Sequence, residues 1–304
     1  MKPHIDLAIV LQQASVLLGE PLADARAAEL GADHLVVFAT APGCGRVVIK
    51  VGEDATTDAY VLDQLRDIPA LVPQPLACGI IVAERQSYPA VVMTRVAGVD
   101  LATVPEQHRY LPELVAQLCL VHRLTTAGAA GTVRDVVQGC APASWKTYLR
   151  DILGGRNKEF DWENLYRSPL VDAKILRRAV MQLGEELEEL PDTRRYHLLH
   201  GDLNPANVLV AGGRLAGIID WSYARYGDPL FDFARLRMNP FVRRSPEATE
   251  AYFALLDLSA EERAREDFYF RFNLVEYVHW YIQSQAVDRV REHIALLAEL
   301  ISLP

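Results

Sequence analysis

The sequence predicts an α+β fold in two lobes, a small antiparallel β-sheet lobe over residues 1–96 and a larger, mainly helical lobe over residues 97–304. Three observations predict it. Short runs rich in Val and Ile cluster between residues 35 and 94, bounded by Gly and Pro. Beyond Gly98, apolar residues recur at three- and four-residue spacing instead. One later stretch, 196–220, returns to β-type runs and carries a dense group of polar side chains.

Taken in order, residues 5–18 read as an amphipathic helix stopped by Gly19 and Pro21. A signal peptide is the rival reading, but Asp6, Gln12 and Gln13 break the apolar run and Gly19-Glu20-Pro21 is a poor cleavage site. Leu35–Thr40 and Arg46–Val51 form a hairpin across the turn Ala41-Pro42-Gly43-Cys44-Gly45. Residues 55–67 fit a helix that ends before Pro73 and Pro75, and Leu76–Ala83 and Pro89–Thr94 are two further strands. Leu111, Leu114, Val115, Leu118 and Val121 mark a helix. The Gly-, Ala- and Thr-rich residues 127–141 are expected to be a loop. Ser144 caps a helix from Trp145 to Leu153, halted by Gly154-Gly155, and Asp172–Leu190 is a longer one closed by Pro191. Helices resume at Pro246–Leu256, Ala260–Gln283 and Val287–Ile301.

With 31 basic against 40 acidic residues the net charge is −9, which argues against nucleic acid as a partner. A mildly acidic surface is ordinary for a soluble enzyme, and it also suits a cationic small molecule. The four cysteines are far apart and lack metal-ligand spacing, so free thiols in a reducing compartment are expected. No apolar run approaches the ~18 residues of a spanning helix. The expectation is a cytoplasmic protein with no membrane partner.

The chemistry concentrates in His200-Gly201-Asp202-Leu203-Asn204-Pro205-Ala206-Asn207, which runs into the apolar Val208-Leu209-Val210. Thirteen residues after Asn207, Asp220 ends a partner strand that follows a turn at Gly212-Gly213. Phosphoryl transfer requires oxygen ligands for magnesium, a carboxylate to orient the accepting hydroxyl, and a cation at the donor phosphates. Asp202 is the candidate base, while Asn207 and Asp220 approach one metal from two sides. Lys50, alone among Val and Ile in a β run, is the candidate phosphate lysine. Its bland alternative is an edge-strand lysine with a solvated tip. The five-residue spacing from Asp202 to Asn207 is that of kinase catalytic loops.

These residues, with Ile218-Ile219-Asp220-Trp221, Gly227-Asp228-Pro229 and Asp232-Phe233-Ala234, resemble the aminoglycoside phosphotransferase and choline kinase-like family, which shares the protein-kinase fold. Ser144-Trp145-Lys146-Thr147-Tyr148-Leu149 and Asp220-Trp221-Ser222 are similar to its hygromycin B phosphotransferase branch. The resemblance implies that Asp202 is the base, that Asn207 and Asp220 hold Mg2+, and that Lys50 contacts the phosphates of ATP, with GTP left open. It also implies an acid on the following helix that pairs with Lys50. Asp58 stands where the family usually has Glu, with Glu53 as the alternative. Asp is one methylene shorter, so the pair is expected to form only as the lobes close. The phosphate-covering loop falls at Leu30-Gly31-Ala32-Asp33-His34, making Gly31, Asp33 and His34 nucleotide neighbours. Gly43-Cys44-Gly45 is left as a hairpin turn.

By the same resemblance the adenine lies in the crevice between the lobes, beside Val91–Val96. Backbone groups of Thr94 and Val96 are its hydrogen-bond partners, and Met93 is either a pocket wall or a core residue. His200 is expected to brace the catalytic loop, and Asp228 and Asp232 either brace it too or cap a helix. Tyr269, Asn273, Glu276, Trp280 and Gln283 share one face of a late helix. There Asn273, Glu276 and Trp280 would meet the acceptor, Glu276 through an ammonium group, unless the face is merely solvated. Trp221 and Trp145 are further cleft-wall candidates, or packing residues. The implied function is an ATP- and magnesium-dependent kinase of a hydroxyl on an aminoglycoside-type antibiotic. The alternatives are a metabolic kinase of the same fold, acting on choline, ethanolamine, a sugar or an amino alcohol, and a catalytically inactive kinase-like binding protein.

Overall fold

The computed structural model describes residues 5–28, 34–157, 160–191, 195–243 and 245–301. In chain order the first elements are α1 (Leu7–Leu18), β1 (Ala23–Ala27), β2 (Leu35–Ala41), β3 (Gly45–Val51), α2 (Ala55–Gln64), β4 (Pro75–Ala83), β5 (Gln86–Thr94), β6 (Val99–Asp100) and α3 (Leu111–Val121). There follow β7 (Thr125–Ala127), β8 (Gly131–Thr132), α4 (Val133–Gln138), α5 (Trp145–Leu153), α6 (Trp162–Tyr166), α7 (Ala173–Glu189) and β9 (Arg195–Leu199). Then come β10 (Val208–Ala211), β11 (Arg214–Ile218), β12 (Arg225–Gly227), α8 (Leu230–Arg237), α9 (Pro240–Arg243), α10 (Pro246–Leu256), α11 (Ala260–Gln283) and α12 (Val287–Leu300). The contacts divide the chain into two compact units. One comprises Met1–Leu124 with Asp202–Ala224, the other Thr125–Gly201 with Arg225–Pro304. The first unit holds Asp202, Asn207 and Asp220 together with Lys50.

The first unit is built on a five-stranded antiparallel sheet in the order β1-β2-β3-β5-β4. The alternating burial of β2 follows from its alternating side chains, and Val37, Ile49 and Val92 are fully buried in the core beneath it. Each such side chain is worth ~1.5–3 kcal/mol on leaving water. Helix α1 starts where the Asp6 carboxylate accepts from the Ala8 amide and stops at Gly19, whose φ of +80° lets its N–H reach Ser15. Its Gln13 amide exchanges two hydrogen bonds with the backbone of Val82, satisfying part of the open edge of β4. The edge strand β1 was not foreseen. Its Ala-Asp-Ala-Arg-Ala has no β-branched residue, and it forms because β2 offers it an edge.

A second, smaller sheet in this unit runs β11-β10-β6. The turn between β10 and β11 falls at Gly212 and Gly213, both at positive φ, as the sequence predicts.

The second unit has a short sheet, β7-β9-β12-β8, among helices. At its centre is α11, opened by a capping box in which Ser259 and Glu262 exchange hydrogen bonds and packed against α7, α8 and α12. The expected loop at 127–141 instead contains β8 and α4. Thr132 caps α4 by accepting from the Asp135 amide, and Gly139 ends it at φ +70°. The described residues include no helix long and apolar enough to cross a membrane. None of the four cysteines is in a disulfide.

Candidate active site

Lys50 projects from β3, which is flanked on both sides, by β2 at Val36 and by β5 at Val91. It is 5% exposed, so the solvated edge-lysine alternative does not hold. An ammonium so buried needs anionic partners. Its Nζ donates to Asp58 Oδ2 at 2.7 Å, to Asp220 Oδ1 at 2.8 Å, and to Ser222 Oγ. Burial alone would push the Lys50 ammonium down, but the two carboxylates outweigh it and hold it above the ordinary lysine range.

Asp58 lies in the first turn of α2 and is 1% exposed. Burial pushes its carboxyl up, opposed by the Lys50 ammonium. Its Oδ1 also accepts from the Trp221 amide at 3.0 Å. The acid expected to meet Lys50 only as the lobes close is therefore already engaged. Glu53 is exposed and makes no such contact.

Asp220 sits at φ +64°, the left-handed region that non-glycine residues seldom adopt. This conformation turns its carboxylate back toward Lys50 while leaving the side chain 40% exposed. The preceding Ile219 amide donates to the Asn207 carbonyl at 2.9 Å, tying the two metal-ligand candidates together through the backbone. Asn207 Nδ2 donates to the Asp202 carbonyl at 2.9 Å and to Asp202 Oδ2 at 3.2 Å. The amide nitrogen thus faces Asp202, and the amide oxygen is the atom suited to a cation. Asn204, which the sequence reading did not single out, caps the short turn at Pro205 and also donates to Asp202 Oδ2 at 3.1 Å. Its signal was the Asn-Pro pair, a turn-opening cap.

A magnesium ion fits the donor set of Asn207 and Asp220. One is an amide oxygen and the other an exposed carboxylate, both hard oxygen donors. Among the described residues no group of three or more His, Cys, Asp or Glu side chains is placed to hold a metal. The remaining ligands would have to be phosphate and water oxygens, as is usual for magnesium.

The expected nucleotide neighbours divide. Gly31 and Asp33 lie outside the described residues. His34 faces Asp54 at 3.4 Å, and burial, aided by Lys50, pushes its imidazole below the usual range. Met93 is a buried β5 residue paired with Val48 and Pro75. Thr94 is already engaged, since its amide donates to the Gln74 carbonyl at 2.9 Å and its hydroxyl accepts from the Gln74 amide. Of the Thr94 backbone groups expected to meet an adenine, the N–H is thus taken by Gln74. Val96 lies beyond the end of β5, and its side chain covers Gly217 so closely that an added Cβ would sit 2.8 Å from Val96 Cγ1.

Trp221 is not a cleft wall. It is fully buried, with its indole N–H donated to the Ile218 carbonyl. Ser222 was not singled out as a site residue, although Asp220-Trp221-Ser222 carried part of the resemblance.

In the second unit, Asp232 accepts from the amides of His200 and Gly201 at 2.8 and 3.0 Å, fixing the two residues that lead into Asp202. Of the two roles expected of Asp228, helix capping is the one seen. Asp228 caps α8 through the Leu230 amide and also binds Tyr269 and Arg265. Trp145 is buried, donating to the Tyr269 hydroxyl.

The acceptor reading of α11 is corrected. Glu276 is 1% exposed, with one oxygen on Arg225 at 2.7 Å and the other on Arg235 at 2.6 Å. Burial works against its charge, and the two guanidinium groups outweigh it, keeping the carboxyl below the usual range. It has no oxygen to spare for a ligand's ammonium. Asn273 is fully buried, donating to the Phe231 carbonyl. Trp280 is half-buried against Phe160 and His279.

Residues 24–269 match the family described as the phosphotransferase enzyme family. The chain is 27% identical to hygromycin-B 4-O-kinase of Escherichia coli over 188 residues, 59% of this chain and 51% of that one. It thus spans about half the length of that relative. It is 33% identical over 95 residues to homoserine kinase of Neisseria meningitidis serogroup B (strain ATCC BAA-335 / MC58), 27% of this chain and 31% of that one. Among solved structures it resembles a thermostable mutant of aminoglycoside phosphotransferase APH(4)-Ia in ternary complex with ADP and hygromycin B. The TM-score is 0.74 at 19% identity, over 95% of this chain and 97% of that one. At that identity the likeness is one of fold, and it establishes the kinase-like α+β fold expected from the sequence.

Proposed function

Because the chain belongs to the phosphotransferase enzyme family, we propose that it is a small-molecule kinase using ATP and magnesium to phosphorylate a hydroxyl of an aminoglycoside-type acceptor. The observation that carries this reading is the meeting of Lys50 with Asp220, in the unit that also holds Asp202 and Asn207. In this reading residues 1–96 contribute the phosphate lysine and residues 97–304 the base and the metal ligands.

Asp202 accepts a hydrogen bond from the acceptor hydroxyl, aims its oxygen at the terminal phosphorus and takes its proton as the new O–P bond forms and the bond to the bridging oxygen breaks, releasing ADP. Asn204 and Asn207, both donating to Asp202 Oδ2, fix the carboxylate so that its other oxygen faces the hydroxyl. Lys50 holds the donor phosphates, itself held by Asp58. Asn207 and Asp220 would hold magnesium, which when bound neutralises phosphate charge in the transition state. The aminoglycoside assignment is supported by the likeness to hygromycin-B 4-O-kinase and to the APH(4)-Ia complex. A second reading, a metabolic kinase of an amino alcohol, is supported by the local likeness to homoserine kinase. Both place the protein in the cytoplasm, where ATP is plentiful.

A thermal-shift screen of ATP and GTP with magnesium, run with aminoglycosides and amino alcohols, tests the reading. Stabilisation by nucleotide, raised further by one acceptor class, is expected, and no response to any nucleotide would refute it.

A further inference from the structure

We infer that Ser222 is a positioning residue. Its hydroxyl occupies the third proton of Lys50 until a nucleotide phosphate takes that place, and it holds Asp220 ready for the metal throughout. This rests on the proposed kinase function and deepens it.

An ammonium carries three N–H bonds. In this structure all three have acceptors: Asp58 Oδ2 at 2.7 Å, Asp220 Oδ1 at 2.8 Å, and Ser222 Oγ. A phosphate oxygen can reach Lys50 only if one of them withdraws. The two carboxylates make charge-assisted bonds, and the neutral hydroxyl is the weakest acceptor of the three. Asp58 is further fixed by the Trp221 amide and cannot swing away without leaving that donor buried and unpaired. Ser222 is thus the partner that Lys50 gives up.

The hydroxyl's own proton points elsewhere. Ser222 Oγ lies 2.7 Å from Asp220 Oδ1 and 3.4 Å from Asp58 Oδ2, so its donated bond belongs to Asp220. Losing Lys50 as a donor does not disturb that bond. Asp220 keeps a hydrogen bond to Oδ1 that holds its carboxylate in the left-handed turn, where it would meet the metal of the proposed function. Outer partners of metal ligands act in this manner, orienting the ligand rather than touching the metal.

The test is calorimetric titration of the full chain with AMP-PNP, with and without magnesium, on the unsubstituted protein, Ser222→Ala and Ser222→Thr, alongside each protein's melting temperature. The expected result is that Ser222→Ala weakens the magnesium-dependent part of binding by roughly tenfold. Its metal-free nucleotide affinity should be equal or tighter, because the phosphate no longer competes with the hydroxyl. Ser222→Thr, which keeps the hydroxyl, should restore the magnesium dependence. A general packing role would instead weaken binding equally with and without metal, and that result would overturn the inference. Identical magnesium dependence in the unsubstituted protein and Ser222→Ala would overturn it as well, leaving the kinase reading intact. If the unsubstituted protein bound no nucleotide under either condition, the kinase reading itself would fall, and the inference with it.

Discussion

Lys50 Nζ lies 2.8 Å from Asp220 Oδ1, although 170 residues separate them in sequence. The pairing brings a lysine from the middle of a sheet to an aspartate in a strained turn after another. Strain of this kind persists only where surrounding contacts impose it, and here the Lys50 and Ser222 side chains both bond the Asp220 carboxylate. In the proposed function, this ammonium, shared between a buried acid and a half-exposed one, would meet the donor phosphate while Asp220 meets the cation.

Removing the base is expected to separate chemistry from binding. Asp202→Ala should lower turnover by ~10²–10⁴-fold while leaving nucleotide affinity near its original value. Steady-state kinetics with calorimetry on the same preparation would check this, and equal loss in both would assign Asp202 to binding instead.

Removing the lysine should cost stability as well as function. Lys50→Met leaves Asp58 buried with its cation gone, at a cost of ~3–5 kcal/mol. The carboxylates hold Lys50 above its unfolded value, so its contribution is fully present at neutral pH and is lost only as pH rises through the alkaline range. The gap in melting temperature between Lys50→Met and the unsubstituted protein should therefore stay constant through neutral pH and narrow in strong alkali.

Asp232→Ala should leave two buried amides, those of His200 and Gly201, without their acceptor. The expected loss is ~1–3 kcal/mol for each such group, with slower turnover because Asp202 follows directly. Hydrogen exchange at those amides gives the readout, and unchanged protection would remove Asp232 from the account.

Two buried groups should set opposing pH slopes in the second unit. Burial raises the Glu266 carboxyl to about 7, against the pull of Arg237 and the Tyr252 hydroxyl, with Asp267 raising it and Arg263 lowering it. Burial lowers the His293 imidazole to about 4, with its ring nitrogen bonded to the Arg289 carbonyl, Glu292 raising it and Arg243 and Arg289 lowering it. The folded state holds the Glu266 proton where the unfolded chain has lost it, so its stabilisation is full below about 4.5 and fades as pH rises to about 7. His293 works the other way, contributing above about 6.5 and losing its contribution as pH falls to about 4. Each swing is on the order of 3 kcal/mol. Calorimetric stability measured against pH should show Glu266→Gln and His293→Gln differing from the unsubstituted protein with slopes of opposite sign; matching slopes would discredit both assignments.

Local chemistry made much of the fold legible. The hairpins turning at Gly43–Gly45 and Gly212–Gly213, the capped helices after Ser144 and Ser259, and the order of Lys50, Asp202, Asn207 and Asp220 all rest on residues close together or on spacing. Helix α4 was legible too, through Thr132, Asp135 and Gly139, but the small residues around it masked the signal. What escaped depends on distant partners. Glu276 reads as a solvated or ligand-facing acid until Arg235 and Arg225, 41 and 51 residues away, are seen to take both its oxygens. Ser222 reads as a bland turn residue until Lys50 arrives from the other end of the chain.

The most direct measurement of the central claim is phosphorus NMR of ATP and magnesium incubated with the protein and a panel of aminoglycosides and amino alcohols. A new phosphomonoester resonance with one acceptor class is expected, with ADP formed in equal amount and neither product with Asp202→Ala. ATP left intact with every acceptor, or the same phosphomonoester formed at the same rate by Asp202→Ala, would contradict the claim.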